Sequence, residues 1–274
     1  MISTTLHKAV RILRKISDDA MSMPIRALSA ELGMPRSTVH RICQALSAEG
    51  ILEFDSKTKQ YRWGPDLIYI ARSVYQTNEL RRLAQPILQQ IVGQLNETAQ
   101  LVTYDRKQRQ ILFSDGVSCD QPIRYHTPIG VPLPVYVGAS GKSVMAFLPE
   151  KEIAEIIALG LAPVRDGIPI APKRLRKDLK VIRSKGFAIT FGERTPGAMG
   201  IGCPVFDASG NVLGSVVLTM PVYRFQPKLE SKIVRLVRDG AEQLSRFMGL
   251  PAAASYPPAL SRDAEAVKLI KCEK

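Results

Sequence analysis

The stretch LSAELGMPRSTVHRICQALSAEGILEFDSKTKQYRWG, residues 28–64, carries two helical patterns and a hairpin pattern in immediate succession. Just before and within it, Pro24 stands at a favoured first-turn position, Ile25, Leu28 and Leu32 share one stripe, and Gly33 supplies a turn. A second helix begins near Pro35 and ends at Gly50, with Val39, Ile42, Cys43 and Leu46 facing inward. An advance of about 100° per residue puts Ser37, Arg41 and Gln44 on the opposite face with His40 beside them. Ile51, Leu52 and Phe54 then run into a polar tip, DSKTK, and return through Gln60, Tyr61, Arg62 and Trp63, which is the pattern of a short hairpin.

Two short helices joined by a tight turn have the dimensions to set the second one in the major groove of DNA. The outward chemistry fits that task. Arg41 can present a bidentate fork to guanine, Gln44 can read adenine, and Ser37 and Thr38 can reach phosphate or base edges near the helix N-terminus. A solvated face on an ordinary helical bundle fits the helical pattern equally well. The hairpin directly after the second helix favours DNA, because it is placed as a wing whose Lys57 and Lys59 reach backbone phosphates. Tyr61 and Trp63 are expected to pack into the core rather than stack on bases. The candidate DNA contacts are therefore Arg36, Ser37, Thr38, His40, Arg41, Gln44, Lys57 and Lys59.

Upstream, Leu6, Val10, Leu13 and Ile16 recur at helical spacing and predict an amphipathic first helix. Downstream, residues 65–78 read as a helix with Leu67, Ile70 and Val74 on one stripe, too apolar for a flexible tether. At 274 residues the chain has room for two domains. Its formal charge of +13 points to a polyanionic partner, nucleic acid or an anionic membrane. No run approaches the roughly 18 apolar residues of a spanning helix, and the N-terminus lacks an apolar export core, so a cytoplasmic protein with no membrane partner is expected. Cys43, Cys119, Cys203 and Cys272 are scattered, and His7, His40 and His126 lack metal-ligand spacing, so buried reduced thiols, no metal and no cofactor are expected.

The run 28–64, with its G-x-P-x-S-T-V-x-R core and closing Y-x-x-G, resembles the DNA-binding domain of the IclR family of transcription regulators. Residues 128–149, PIGVPLPVYVGASGKSVMAFLP, and 185–221, KGFAITFGERTPGAMGIGCPVFDASGNVLGSVVLTMP, resemble that family's effector domain. Together the resemblance covers most of residues 5–249. It implies an α+β protein: a winged helix-turn-helix over 1–64, a linker helix over 65–78, a GAF-like α/β effector domain with a mainly antiparallel sheet over 79–249, and a tail over 250–274. It also implies homodimers or homotetramers on partly palindromic, double-stranded operator DNA. The tail, rich in proline and alanine at its start, reads as a mobile end.

In the second half, helical and alternating patterns interleave, as an α+β sheet domain requires. The suggestive segment is 137–143, where Gly138, Ala139, Ser140 and Gly141 lead from extended chain into a helix beginning near Lys142. Free amides around Ala139 and Ser140 would hold a carboxylate; alternatively the small residues serve only close packing of helix on sheet. The resemblance implies a pocket whose other walls are Thr190, Gly200, Val217 and Thr219, with Val131 and Leu133 closing the apolar side. Val217 stands where similar regulators carry a hydroxyl and Thr190 where they carry an acid. That departure speaks against a glyoxylate-like or pyruvate-like effector and for a larger, partly apolar organic acid, aromatic acids included.

Enzymatic readings are weaker. GASGKS fails the phosphate-binding loop because Tyr136 occupies the required first glycine, and it fails G-x-S-x-G because Lys142 occupies the last. Glu193 and Arg194 read as a surface or interface pair, since one carboxylate without a partner is poor support for acid-base chemistry. A ligand-responsive repressor or activator, not an enzyme, is the leading expectation, ahead of an enzyme fused to a DNA module and of an architectural DNA-binding protein.

Overall fold

The computed structural model describes residues 4–18, 22–77, 79–163 and 170–258, the side chains of Thr4, Asp18 and 72–77 apart. The chain divides into two compact units, 1–78 and 79–274. The first comprises α1 (Thr4–Asp18), β1 (Ser22–Pro24), α2 (Ile25–Leu32), α3 (Arg36–Ala48), β2 (Leu52–Asp55), β3 (Gln60–Trp63) and α4 (Pro65–Thr77). Ile12 and Ile16 of α1, Leu28 of α2, and Val39, Ile42 and Cys43 of α3 are buried together with Leu52 and Tyr61 of the hairpin. Trp63 packs against the same cluster, so Tyr61 and Trp63 both join the core, whereas Phe54 of β2 is exposed. Pro24 is not inside a helix. It ends the three-residue strand β1, which pairs antiparallel with β3 from Ser22↔Arg62 to Pro24↔Gln60. So short a strand has no periodicity to read, and only its pairing defines it. On α4, Ile70 is half exposed, and Val74 lies outside the described side chains.

The second unit comprises α5 (Glu79–Leu95), β4 (Thr98–Asp105), β5 (Gln110–Val117), β6 (Pro132–Pro134), α6 (Gly138–Met145), α7 (Glu150–Ala158), α8 (Pro172–Lys185), β7 (Ala188–Phe191), β8 (Ala198–Phe206), β9 (Val212–Pro221) and α9 (Glu230–Phe247). Its strands form one sheet in the order β6-β5-β4-β9-β8-β7, with every neighbouring pair antiparallel. The mixed helix and antiparallel sheet is the α+β architecture expected. Alternate residues face opposite ways along each strand. On one face Ile87 and Ile91 of α5 meet α9 at Gly240, and Val216 and Leu218 of β9 are buried. On the other lies α6.

Helix α6 sits unusually near the strands because glycine removes the obstructing side chain on both sides. A Cβ at Gly202 of β8 would lie 2.6 Å from the Ala139 carbonyl oxygen, and one at Gly141 would collide with the Val135 carbonyl. Ser215 of β9 donates to the Ser140 carbonyl at 3.0 Å and fixes the helix across the sheet. Every residue of α6 is buried, including Lys142. Expected to be mobile from residue 250, the tail instead packs down as far as the described chain runs. Leu250 and Tyr256 are buried, the Tyr256 hydroxyl donates to Pro204 O at 2.5 Å, and Arg238 donates to Tyr256 O at 2.8 Å. Residues 259–274 lie outside the described residues.

Gly141→Ala should therefore lower the stability of the second unit by about 1–3 kcal/mol, because the added methyl must displace backbone rather than a flexible side-chain end. Urea unfolding followed by near-ultraviolet circular dichroism checks this, and an unchanged midpoint would contradict the packing described.

Candidate DNA-reading face and ligand cavity

Between α2 and α3 the chain reverses at Gly33, whose φ of 60° is the left-handed conformation glycine adopts without penalty. Met34 N donates to Ser29 O at 3.1 Å and Ser29 Oγ to Met34 O at 2.6 Å, locking the turn from both directions. This lock fixes α3 relative to α2. Arg36, Ser37, His40, Arg41 and Gln44 are exposed on α3, and Thr38 is half-buried. Among the described residues no hydrogen bond or ion pair engages the side chains of Arg36, His40, Arg41 or Gln44, so their donors and acceptors face solvent. In the hairpin, Asp55 accepts from Lys57 N at 2.8 Å and Thr58 N at 3.3 Å, and these backbone donors hold its carboxyl below the usual range. Lys59 closes the turn with φ 58° and its N–H on Asp55 O at 2.8 Å. Lys57 and Lys59 are exposed at this tip.

In the second unit, register assembles positions that are far apart in sequence. Thr190 of β7 pairs with Gly200 of β8, which pairs with Thr219 of β9, so the three form one row across the sheet. Val217 stands in the next row, opposite Gly202. Above them Ala139 and Ser140 of α6 complete one cavity, to which Phe113, Thr127, Glu193, Arg194 and Met199 also contribute. Six of the eight expected wall residues are thus brought together: Ala139, Ser140, Thr190, Gly200, Val217 and Thr219. Val131 and Leu133 are not among the lining residues. Val131 is 45% exposed, and Leu133 pairs with Ile111 on the edge strand β6 and packs against the core. The apolar side is closed by Phe113 and Met199 instead.

The helix begins at Gly138, four residues earlier than expected, so Gly-Ala-Ser-Gly is its first turn. Two of the amides expected to hold a carboxylate already have acceptors. Gly138 N donates to Glu193 Oε2 at 3.1 Å, and Ala139 N donates to Thr190 Oγ1 at 2.9 Å. Gly141 serves close packing, whereas Ala139 and Ser140 face the cavity.

Glu193 and Arg194 are not a surface pair. Glu193 accepts from Lys142 Nζ at 2.7 Å, and Lys142 also holds Asp178 of α8 at 3.1 Å. Arg194 turns inward, donates from Nη2 to Val137 O at 2.7 Å, and lies 5.4 Å over the Phe113 ring. Burial lowers its pKa to about 10, against the opposing pull of Glu193. The guanidinium therefore stays charged at neutral pH. The sequence signal for both residues was their place in the β7–β8 connection, a few residues after Thr190; that they turn inward is decided by α6. Phe113 was hidden because a bulge at Leu101/Val102 shifts its register.

Among the described residues no cluster of potential ligands could hold a metal ion, and no helix is long and apolar enough to cross a membrane. Cys43, Cys119 and Cys203 are buried free thiols; burial pushes Cys43 up to about 11 and Cys203 still higher. Cys272 lies outside the described residues.

A helix-turn-helix with a wing in one unit and a sheet domain enclosing a small-molecule cavity in the other define a DNA-binding regulator with a separate effector domain. Residues 72–246 match the family model described as the bacterial transcriptional regulator IclR C-terminal domain, and residues 5–56 match the IclR helix-turn-helix domain. The chain belongs to the IclR family of transcription regulators. It is 25% identical over 234 residues to the HTH-type transcriptional regulator KipR of Bacillus subtilis, spanning 83% of this chain and 90% of that protein. Its fold is similar to Thermotoga maritima IclR at 28% identity and a TM-score of 0.67, covering 89% of this chain and 98% of that one. It is also similar to an IclR homologue from Microbacterium hydrocarbonoxydans complexed with 4-hydroxybenzoate, at 22% identity and a TM-score of 0.76, covering 89% and 99%. KipR is a transcriptional regulator, the class to which the family of this chain belongs.

Arg41→Ala should relax base preference, whereas Lys59→Ala should weaken binding uniformly and flatten its salt dependence by about one contact. Titration against operator and shuffled duplexes at several salt concentrations separates the two. If Arg41→Ala keeps the parent affinity for every sequence, Arg41 does not read bases.

Proposed function

We propose that this chain reads operator DNA with the outward face of α3 and the wing, and that its DNA binding is set by a small organic acid held in the cavity beside α6. The observation that carries the effector reading is Arg194. It is a partly buried cation in the cavity wall, and among the described residues no carboxylate lies within ion-pair distance of it; its neighbour Glu193 pulls its pKa upward but is bonded to Lys142 and the Gly138 amide. A partly buried charge whose neighbouring carboxylate is already held by a lysine is incompletely compensated, and a ligand carboxylate would complete the compensation. Thr190 accepts the Ala139 amide on its oxygen, which leaves its own proton for a ligand, and Ser140, Thr127 and Thr219 add hydroxyls. In this reading the carboxylate meets a guanidinium rather than the amides of the α6 first turn.

The cavity has a volume of about 50 Å³. A single water needs about 10–15 Å³ on the same measure, so a compact acid fits without rearrangement. A ring-bearing acid fits once Arg194 leaves the Phe113 face to follow the carboxylate. The homologue complexed with 4-hydroxybenzoate supports keeping aromatic acids in the class. Exposed Ile68, Tyr69 and Ile70 on α4 support association into dimers, which a two-fold operator requires. Linkage then makes the effect reciprocal: an acid that weakens DNA binding is itself held less tightly when operator is present.

Calorimetry with short-chain acids and 4-hydroxybenzoate tests the reading, together with binding to DNA upstream of this gene with and without each acid. Arg194→Met should weaken the acid that binds by roughly 10–100-fold, as expected for loss of a charge-assisted hydrogen bond, while operator affinity without acid is retained. Undiminished acid binding by this variant would overturn the role of Arg194. For the parent chain, affinity should stay level through neutral pH and fall as pH passes about 10, because deprotonation removes the cation.

A further inference from the structure

Most of this chain's excess positive charge lies outside the unit that carries the DNA-reading helix. Residues 1–78 carry eleven Lys and Arg against seven Asp and Glu, an excess of four, whereas residues 79–274 carry twenty-seven against eighteen, an excess of nine. Six of those nine belong to the 14 residues of α8, PKRLRKDLKVIRSK, where seven basic side chains face one acidic side chain, Asp178. A unit that only senses a metabolite has no need of this concentration.

The helix breaks local electrostatic rules to carry it. Lys173 and Arg174 lie in its first turn, where the macrodipole favours anions, and no acidic residue accompanies them. Lys173, Lys177 and Lys180 follow at i, i+4 and i+7 on one face, and like charges at that spacing repel. A merely solvated helix face mixes signs. Here the only acid is already neutralised, since Asp178 accepts from Lys142 Nζ at 3.1 Å. Among the described residues no carboxylate lies within ion-pair distance of Lys173, Arg174, Lys177, Lys180 or Lys185, all of which are exposed. Underneath, Leu175, Leu179 and Ile182 are buried, and Arg183 Nε donates to Ala146 O at 2.6 Å, so the stripe is displayed on a fixed platform.

We propose that the outer face of α8 is a second surface for the phosphate backbone of duplex DNA, distinct from α3 and the wing and indifferent to base sequence. Clustered cations concentrate a polyanion and release its counterions, which removes the mutual repulsion of the lysines. The proposal does not depend on which acid the cavity takes.

The test uses the full chain, with Lys173, Lys177 and Lys180 each changed to Gln in one variant and each to Arg in another. The probe is a long random-sequence duplex titrated over a range of salt. Each phosphate contact contributes about 0.9 to the slope of log affinity against log salt, so the glutamine variant should be shallower than the parent by about 2–3. The arginine variant should keep the parent slope and the parent's thermal unfolding, and the glutamine variant should unfold no lower than the parent, because the three side chains are exposed and their mutual repulsion is relieved. Identical slopes for the parent and the glutamine variant would overturn the proposal. So would loss of slope in the arginine variant, which would show that something other than charge is read. A parent-like slope combined with lowered transcription in vitro would likewise overturn it and assign the face to an acidic protein partner.

Discussion

Close approach of α6 to the sheet is the constraint on which the second unit depends. With Gly202 beneath Ala139 and Gly141 against Val135, the helix settles near enough for Ser215 to reach the Ser140 carbonyl and for Thr190 to cap the Ala139 amide. That seating leaves a hollow at the helix N-terminal end, where the row Thr190, Gly200 and Thr219 forms the floor. A larger residue at either glycine would lift the helix and open or erase the hollow. The small residues of the first turn are thus both packing devices and cavity wall, because the closeness that requires them also creates the space.

Charge is arranged around that seat in two parts. Lys142 ties Glu193 to Asp178, so the cavity-side carboxylate is compensated and linked to α8. Arg194 feels the pull of Glu193 but contacts only a carbonyl and an aromatic face, neither of which cancels its charge. A low-dielectric wall then makes the guanidinium sensitive to an arriving anion, since the field of a buried charge is poorly screened. The links Lys142–Asp178 and Arg183–Ala146 also join the helix that lines the cavity to the helix that carries the basic stripe.

The DNA-binding unit follows a plainer logic. Its core is built from α1, α2, α3 and the hairpin, and the Ser29–Met34 lock sets the angle at which α3 leaves the turn. Burial of Val39, Ile42 and Cys43 turns Arg41 and Gln44 outward, and among the described residues no hydrogen bond or ion pair of their own aims them. Helical geometry alone does that, which is why the outward face was legible before any tertiary contact was known.

What the sequence determined by itself is whatever rests on local periodicity and turn chemistry. Examples are the helix stripe of α3, the hairpin around Lys57–Lys59, the alternating strands, and the small-residue segment 138–141 that marks the cavity. Tertiary structure alone decided the rest. Strand β1 exists only by pairing with β3, the Gly138 and Ala139 amides are capped by residues some 50 positions away although free amides were expected around Ala139 and Ser140, and the β7–β8 connection turns Arg194 inward where a surface or interface pair was expected. Val131 fell outside the cavity and Phe113 inside it because a β-bulge and an edge strand set which faces meet. Periodicity reports which way a side chain points from its own element; what it meets depends on register between strands and the seating of a helix, and those are fixed by contacts distant in sequence.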